Sequence, residues 1–275
     1  MRSRSAWTVF WRTVLGRAYP RIIGAQREKS WVFFEIFLPL LQVTAYVYIY
    51  RAIEAPPEFI GFVVLGGAMS AYWLNVLWSM ASQLYWEKET GNLELYIVAP
   101  TSRMAILLGM ALGGMFATTL RAIAVITIGM LLFHVSMTVR NVPVLLGVFL
   151  TTLVALYGLG MLLSSLFLLF GREAWHLSNL LQEPVSLVSG FYFPVRALGQ
   201  VVAAAASILP ITLGLDAMRQ LLFPAMLGDL RFLSPEVELG ILAGLAVLFL
   251  ILARRALGYF EALARREGRL SIRGQ

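Results

Sequence analysis

The chain has 275 residues, 59% hydrophobic and only 13% charged, with 22 Lys and Arg against 15 Asp and Glu, a formal net charge of +7 and a mean hydropathy of +0.78. Soluble domains run nearer roughly half apolar and a quarter charged, so a soluble fold of this size has too little interior for so much apolar surface, and lipid is its natural solvent. The absence of cysteine excludes a disulfide scaffold, a thiolate zinc site and a cysteine nucleophile.

The first 30 residues are basic, with Arg2, Arg4, Arg12, Arg17, Arg21, Arg27 and Lys29. They stay charged for too long before the first apolar run to read as a cleavable signal peptide, so the first span is expected to serve as its own insertion signal. Within Ala6–Ile23, the residues Trp7, Phe10, Trp11, Val14 and Leu15 recur at helical spacing with Arg12 and Arg17 interleaved. That pattern predicts an amphipathic helix lying in the membrane interface.

Apolar runs of about 20 residues then follow as candidate spans. Trp31–Tyr50 is the first, and Phe59–Met80 the second, after the Pro56-Pro57 turn. Met104–Phe133 is a long third, interrupted by Arg121, and Val142–Phe170 a long fourth. Ala174–Phe193 is the fifth, with Pro184 inside it and Pro194 at its end. Val237–Leu252 is the last, closing at Arg254-Arg255. Between the fifth and last runs lie two short apolar pieces, Val201–Leu209 and Ile211–Leu222, split by Pro210. Each is too short to cross alone and reads as half of a re-entrant hairpin; joined as one broken helix they would make a seventh span.

Six spans put both basic flanks on one side, as the positive-inside rule requires. The N-terminus and the tail carrying Arg254, Arg255, Arg265, Arg266, Arg269 and Arg273 are then cytoplasmic, together with the loops at 81–103 and 171–173. The loops at 51–58, 134–141 and 195–236 fall outside. The expected organisation is a cytoplasmic amphipathic segment at 1–30, a six-helix transmembrane domain at 31–256 and a basic cytoplasmic tail at 257–275. The basic residues belong to membrane flanks facing anionic lipid headgroups, so no nucleic-acid partner is expected.

Chemistry-bearing motifs are scarce. His134 and His176 are the two histidines, and no HExxH zinc motif can be built from them. Lys29-Ser30 follows Gly24, but Glu28 stands where a phosphate loop needs glycine, outside any strand–loop–helix context. No catalytic residue, cofactor site or metal site is therefore assigned. Small residues at Gly66, Ser70, Gly109, Gly113, Gly158 and Ser164 supply faces for close helix packing.

Two charges fall inside spans. Arg121, near the middle of the third, would cost about 2.5–3.5 kcal/mol if it faced lipid, so it should face protein or water. Glu183, in the fifth, raises the same question, and opposite signs invite an Arg121–Glu183 pair. Glu35 lies one turn inside the first span, within reach of the cytoplasmic interface.

Residues 83–103, QLYWEKETGNLELYIVAPTSR, are polar where a loop between spans could be bland. Leu84, Lys88, Gly91 and Leu95 share one helical face, and Gly91 and Pro100 punctuate the segment. The stretch Trp86-Glu87-Lys88-Glu89-Thr90-Gly91-Asn92-Leu93-Glu94, followed by Ala99-Pro100-Thr101-Ser102-Arg103, resembles the E-x-x-x-G-x-L-E … P-x-S/T-R segment of ABC-2 type permeases, the membrane subunits of type V ABC transporters. Pro184-Val185-Ser186-Leu187-Val188-Ser189-Gly190-Phe191-Tyr192-Phe193-Pro194 resembles that family's fifth-span ending, P-x-x-x-x-S-G-x-x-F-P. Leu209-Pro210-Ile211-Thr212-Leu213-Gly214-Leu215-Asp216-Ala217-Met218-Arg219 is similar to its NPLTYALDALR stretch, departing at Leu209 and Leu213.

The resemblance implies an all-α membrane protein of the ABC-2 fold: six transmembrane helices, an N-terminal interfacial helix, a cytoplasmic coupling helix and an outer re-entrant helical hairpin. It implies that 83–98 is the coupling helix, with Trp86, Glu87, Lys88, Glu89, Gly91, Leu93 and Glu94 meeting an ABC ATP-binding subunit, and that 197–222 is re-entrant. It further implies a transport subunit rather than an enzyme, with ATP and magnesium on the partner chain and a second copy or a homologous permease beside it. The setting would be a prokaryotic inner membrane, and the cargo amphipathic, lipid-linked, polysaccharide or drug-like, moved outward. Arg121, Glu183, Ser189, Phe191, Tyr192 and Phe193 are candidates for the path or its gate. The rival reading is an ion- or proton-coupled secondary transporter using Arg121 and Glu183 as its relay.

Overall fold

A computed structural model describes residues 6–99, 101–170, 173–223 and 232–266. Among them the chain is helical throughout, with no strand. Helix α1 is Ala6–Arg27, α2 Lys29–Ala52 and α3 Glu58–Asn75. A π-helical turn, Val76–Met80, carries α3 on toward α4, Gln83–Glu89, and α5 is Asn92–Val98. Helix α6 is Arg103–Phe133, α7 Val142–Phe170 and α8 Glu173–Val188. A 3₁₀ turn, Val195–Leu198, leads to α9, Gln200–Ala206; α10, Pro210–Leu222, and α11, Pro235–Arg266, complete the order.

The apolar runs form helices for the reason given by their solvent: in lipid every backbone polar group must be satisfied within its own segment. Among the described residues five helices are long and apolar enough to cross a membrane: α2, α3 continued through the π turn and α4, α6, α7 and α11. The α9–α10 pair, bent by 112° at its break, is either a sixth broken span or a re-entrant loop. The break falls where Pro210 predicts it: the proline takes the first turn of α10, where its missing N–H costs nothing.

The expected fifth span is shorter than its apolar run. Helix α8 has 16 residues, about 24 Å at 1.5 Å per residue against a hydrocarbon core of about 30 Å. It stops because Gly190 turns the chain with φ +67°, a left-handed conformation that a Cβ disfavours, so Ser189–Phe193 folds as a turn rather than as a last helical turn.

Helix α3 is the buried centre of the bundle, with α2 on one flank and α6 on another. Helices α7 and α11 pack along each other, and α10 wedges between α7, α11 and α3 with every residue buried. Small residues let backbones meet. A Cβ on Gly109 would stand 2.4 Å from the Val14 carbonyl oxygen, and one on Gly113 2.9 Å from that of Ala18, so α1 lies directly on α6. A Cβ on Gly66 would overlap the Phe191 carbonyl oxygen at 1.5 Å. Helix α1 turns Val14 and Ala18 toward α6 and leaves Trp7, Trp11, Leu15 and Tyr19 exposed as an apolar stripe one turn apart. The helix forms where its sequence predicts one, but the apolar residues expected on a single face are divided, Val14 against α6 and Trp7, Trp11 and Leu15 outward.

Candidate functional site

The residues singled out by sequence gather at two ends of the bundle. At the first, α4 prolongs the second span, and α5 folds back from it at Gly91, whose φ of +79° makes the αL corner. Trp86 is 47% exposed, Glu87 and Lys88 are buried on α4, and Leu93 is buried on α5. The side chain of Glu94 and the whole of Pro100 lie outside the described residues.

Glu87 does not project toward solvent. Its carboxylate accepts from Arg17 Nη2 at 2.8 Å, from Gln83 Nε2 at 2.9 Å and from the Tyr96 hydroxyl at 2.8 Å. The Arg17 guanidinium also lies 4.9 Å from the centre of the Tyr96 ring. The Thr13 and Thr101 hydroxyls meet at 2.7 Å. Arg21, one turn on from Arg17, donates to Gln83 Oε1 and to Ser79 Oγ of the π turn. Burial lowers the Arg21 guanidinium's proton affinity below its ordinary value, because its direct partners are neutral. Burial, then the hydrogen bond to Glu87, pushes the Tyr96 hydroxyl above its ordinary value. Helix α1, the π turn and the α4–α5 elbow are thus one connected polar unit. Arg17, Arg21, Gln83 and Tyr96 were not among the sequence candidates. The signal for the two arginines was present in the spacing 14–17–18–21, which puts them on the same face as Val14 and Ala18.

Beside this unit a cavity of about 1030 Å³ opens between α1, α2, α3, the π turn, α4 and α6. Arg21, Glu35 and Arg121 are the charged residues of its wall, beside neutral polar ones such as Gln83, and Trp31, Phe34, Leu38, Trp78 and Trp86 supply much of its apolar wall. Arg121 does not pair with Glu183. Its Nη1 meets the Glu35 carboxylate, and its Nη2 donates to the Ala25 carbonyl oxygen at 3.2 Å, so it ties α6 to α2 and to the end of α1. Glu183 is exposed and accepts from Gln182 Nε2 at 3.0 Å. The pairing follows from neighbours: α6 packs on α1, α2 and α3, and α8 on α7, α9 and the π turn.

At the far end, Ser189, Phe191, Tyr192 and Phe193 form the turn after α8. Ser189 and Phe191 are buried. The Tyr192 ring stacks on Tyr46 at 4.2 Å, and its hydroxyl donates to Gln42 Oε1 at 2.8 Å. Arg219 of α10 holds the turn from inside. Fully buried, it donates to the carbonyl oxygens of Gly190 at 2.7 Å, Phe191 at 2.6 Å, Phe193 at 3.4 Å and Phe62 at 3.1 Å, over the Phe62 ring at 3.5 Å. Sequence reading carried Arg219 only as the end of a matching stretch and gave it no role.

Among the described residues no group of three or more His, Cys, Asp and Glu is placed to hold a metal ion. No curated protein matches the chain. The family model described as ABC-2 type transporter matches residues 7–223, from the start of α1 to the end of α10, and includes both ends of the bundle described above. The chain is a multi-pass membrane protein and belongs to the ABC-2 type transporter family, whose members are the membrane components of ABC transporters.

Proposed function

We propose that the chain is the permease subunit of an ATP-driven exporter and that the α4–α5 elbow is where an ABC ATP-binding subunit docks. The observation that carries this reading is the fastening of the elbow. It continues the second span without a loop, and Arg17, Gln83 and Tyr96 clamp it through Glu87. A push on the elbow would therefore move α3 and α1 together rather than dissipate in a flexible linker.

In this reading both termini and the elbow are cytoplasmic, and α8 with its following turn completes an even number of crossings. Helices α9 and α10 re-enter from the outer side. ATP and magnesium are held by the partner subunit. A second copy of the chain or a homologous permease completes the path, through which an amphipathic, lipid-linked, polysaccharide or drug-like cargo leaves a prokaryotic cell. The ion- or proton-coupled alternative needs Arg121 and Glu183 as a relay, and it is disfavoured because Arg121 is committed to Glu35.

The test is charge reversal on the elbow. Glu89→Lys with Glu94→Lys should abolish ATP-driven export and ATPase stimulation in vesicles containing both subunits, with the permease's melting temperature unchanged. Normal export by a folded double variant would overturn the reading.

A further inference from the structure

The cavity between α1 and α2 has a composition that neither packing nor water explains. Its volume, about 1030 Å³, is at the upper end for ligand pockets, which run to roughly 1,000 Å³. Aromatic and aliphatic side chains make up most of its wall, so filling it with water alone would leave a large apolar surface wetted. Its cations outnumber its acids. Arg121 is balanced by Glu35. Among the described residues Arg21 has the neutral Gln83 and Ser79 as its hydrogen-bond partners, and the nearby Glu87 is already paired with Arg17. A half-buried cation on the wall of a largely apolar cleft, with no carboxylate in direct contact among the described residues, is a ready partner for one negative charge.

The opening of the cavity says where that charge would come from. Trp31, Phe34 and Leu38 fall on one face of α2, at a spacing of three and four residues, and line the cavity while being 60%, 51% and 55% exposed. A wall that is at once lining and exposed is the edge of a lateral cleft. From α1 it is lined by Arg21, Gly24 and Ala25, beyond the exposed stripe of Trp7, Trp11, Leu15 and Tyr19 on the same helix. Trp86 completes the rim next to the elbow.

We propose that this cleft is a lateral binding site for an anionic phospholipid, with the phosphate on Arg21 and the acyl chains against Trp31, Phe34 and Leu38 of α2. The proposal deepens the exporter reading and rests on it for the leaflet concerned, which is the cytoplasmic one. Arginine suits the task, because its planar fork can give two hydrogen bonds to a phosphate while keeping one to Gln83 or Ser79. Since Gln83 bridges Arg21 and Glu87, a phosphate drawing on Arg21 would bear on the clamp that holds the elbow. Occupancy of the cleft and the position of the docking element are thereby linked through a single glutamine.

The test is a titration of the purified full-length chain in zwitterionic micelles with phosphatidylglycerol brominated on its acyl chain, followed by quenching of tryptophan fluorescence. Phosphatidylcholine with the same brominated chain is the reference. The chain should bind the anionic lipid about tenfold more tightly than the zwitterionic one, the contribution of one charge-assisted contact. Arg21→Gln should erase that preference, and Arg21→Lys should keep most of it. Ala71→Phe, which fills the cleft and leaves Arg21 in place, should remove it too, so a folding failure of the glutamine variant does not decide the matter. Equal affinities in the unaltered chain, a preference that survives both Arg21→Gln and Ala71→Phe, or complete displacement by inorganic phosphate would overturn the proposal; the last would mark a soluble oxyanion site. None of these readouts involves ATP or the α4–α5 acids. Failure here would therefore leave the exporter reading standing, and failure of the charge-reversal test would leave this site standing.

Discussion

The guanidinium of Arg17 lies 2.8 Å from the Glu87 carboxylate and 4.9 Å from the centre of the Tyr96 ring, so one side chain of α1 grips both arms of the α4–α5 elbow. The pair is neither exposed nor fully enclosed, and its removal should cost about 1–3 kcal/mol, above a surface ion pair and below a buried one. Arg17→Gln and Glu87→Gln should each lower the melting temperature of the purified chain, and the double variant should cost less than the sum of the two. Strict additivity would mean that the two side chains do not act together.

Tyr96 gives the same unit a pH signature. Burial and the Glu87 hydrogen bond hold its hydroxyl above the ordinary value of about 10. A group whose folded-state value is raised contributes stability that is fully present below its unfolded value and is lost as pH rises through the folded one. Stability should therefore not change on account of Tyr96 up to about pH 10 and should decline above it. Tyr96→Phe should make that alkaline decline shallower, as read from melting temperatures across the range. An identical slope in both chains would show that the hydroxyl is not held neutral by the fold.

The glycines of the helix contacts make a graded series. Gly66→Ala sets a methyl group where the Phe191 carbonyl oxygen already lies, and Gly109→Ala sets one 2.4 Å from that of Val14. Both obstacles are backbone, so the cost should reach or exceed the upper end of the 1–3 kcal/mol usual for overpacking, roughly in the order Gly66 above Gly109. Gly244→Ala, on α11, meets nothing within 4 Å and should be neutral or stabilise by up to about 1 kcal/mol through helix propensity. Limited proteolysis should also find α1 released in the Gly109 variant and bound in the Gly244 variant.

The spans were legible because their signal is local. Phe59–Met80, read from apolar composition, is matched by Glu58–Met80 as helix and π turn, and Met104–Phe133 by Arg103–Phe133. Helix α8 was overrun because Gly190 ends it, and a glycine in an apolar run does not announce that its φ is positive. The elbow was found through its motif and its Gly91 corner. Its partners were not, because which helix lies beside it is a tertiary fact. Arg17 and Arg21 looked like headgroup-facing cations. Only the close approach of α1 to Gly109 and Gly113 turns their face inward. The same limit produced the expected Arg121–Glu183 pair: the sequence offers opposite charges, and helix adjacency chooses between them.

At Arg219 a buried charge is held by carbonyl dipoles, with no carboxylate in direct contact among the described residues. Four acceptors from two segments surround its guanidinium, and a lysine ammonium, with three donors on a single point, cannot reach them all in one plane. Arg219→Lys should loosen the turn after α8 at a cost of about 3 kcal/mol. The chain has no cysteine, so Ser189→Cys creates a unique thiol at a position only 1% exposed. That thiol should resist a membrane-impermeant maleimide when Arg219 is present and react at least about tenfold faster in the Arg219→Lys background, the factor expected when roughly 1.4 kcal/mol or more of local closure is lost. Equal labelling would show that the turn closes without the arginine.

The pairing of Arg121 with Glu35 separates two accounts of the charges inside the membrane. If Arg121 and Glu183 formed a relay, neutralising either should stop transport, and Glu183→Gln should be as harmful as Arg121→Gln. The geometry points the other way: Glu183 is exposed on α8, and Arg121 spends its guanidinium on Glu35 and the Ala25 carbonyl. Arg121→Gln strands the Glu35 carboxylate and frees the end of α1, so it should cost about 3 kcal/mol, the range for breaking a mostly buried pair. Glu183→Gln should change stability by less than about 0.5 kcal/mol, as surface substitutions do. Exchanging the charges, with Arg121→Glu and Glu35→Arg together, should recover part of the loss, because the pair links the same two helices in either direction while the Ala25 contact is not restored. Transport that fails on Glu183→Gln as completely as on Arg121→Gln, in variants that both remain fully stable, would reverse this assignment and bring the relay back.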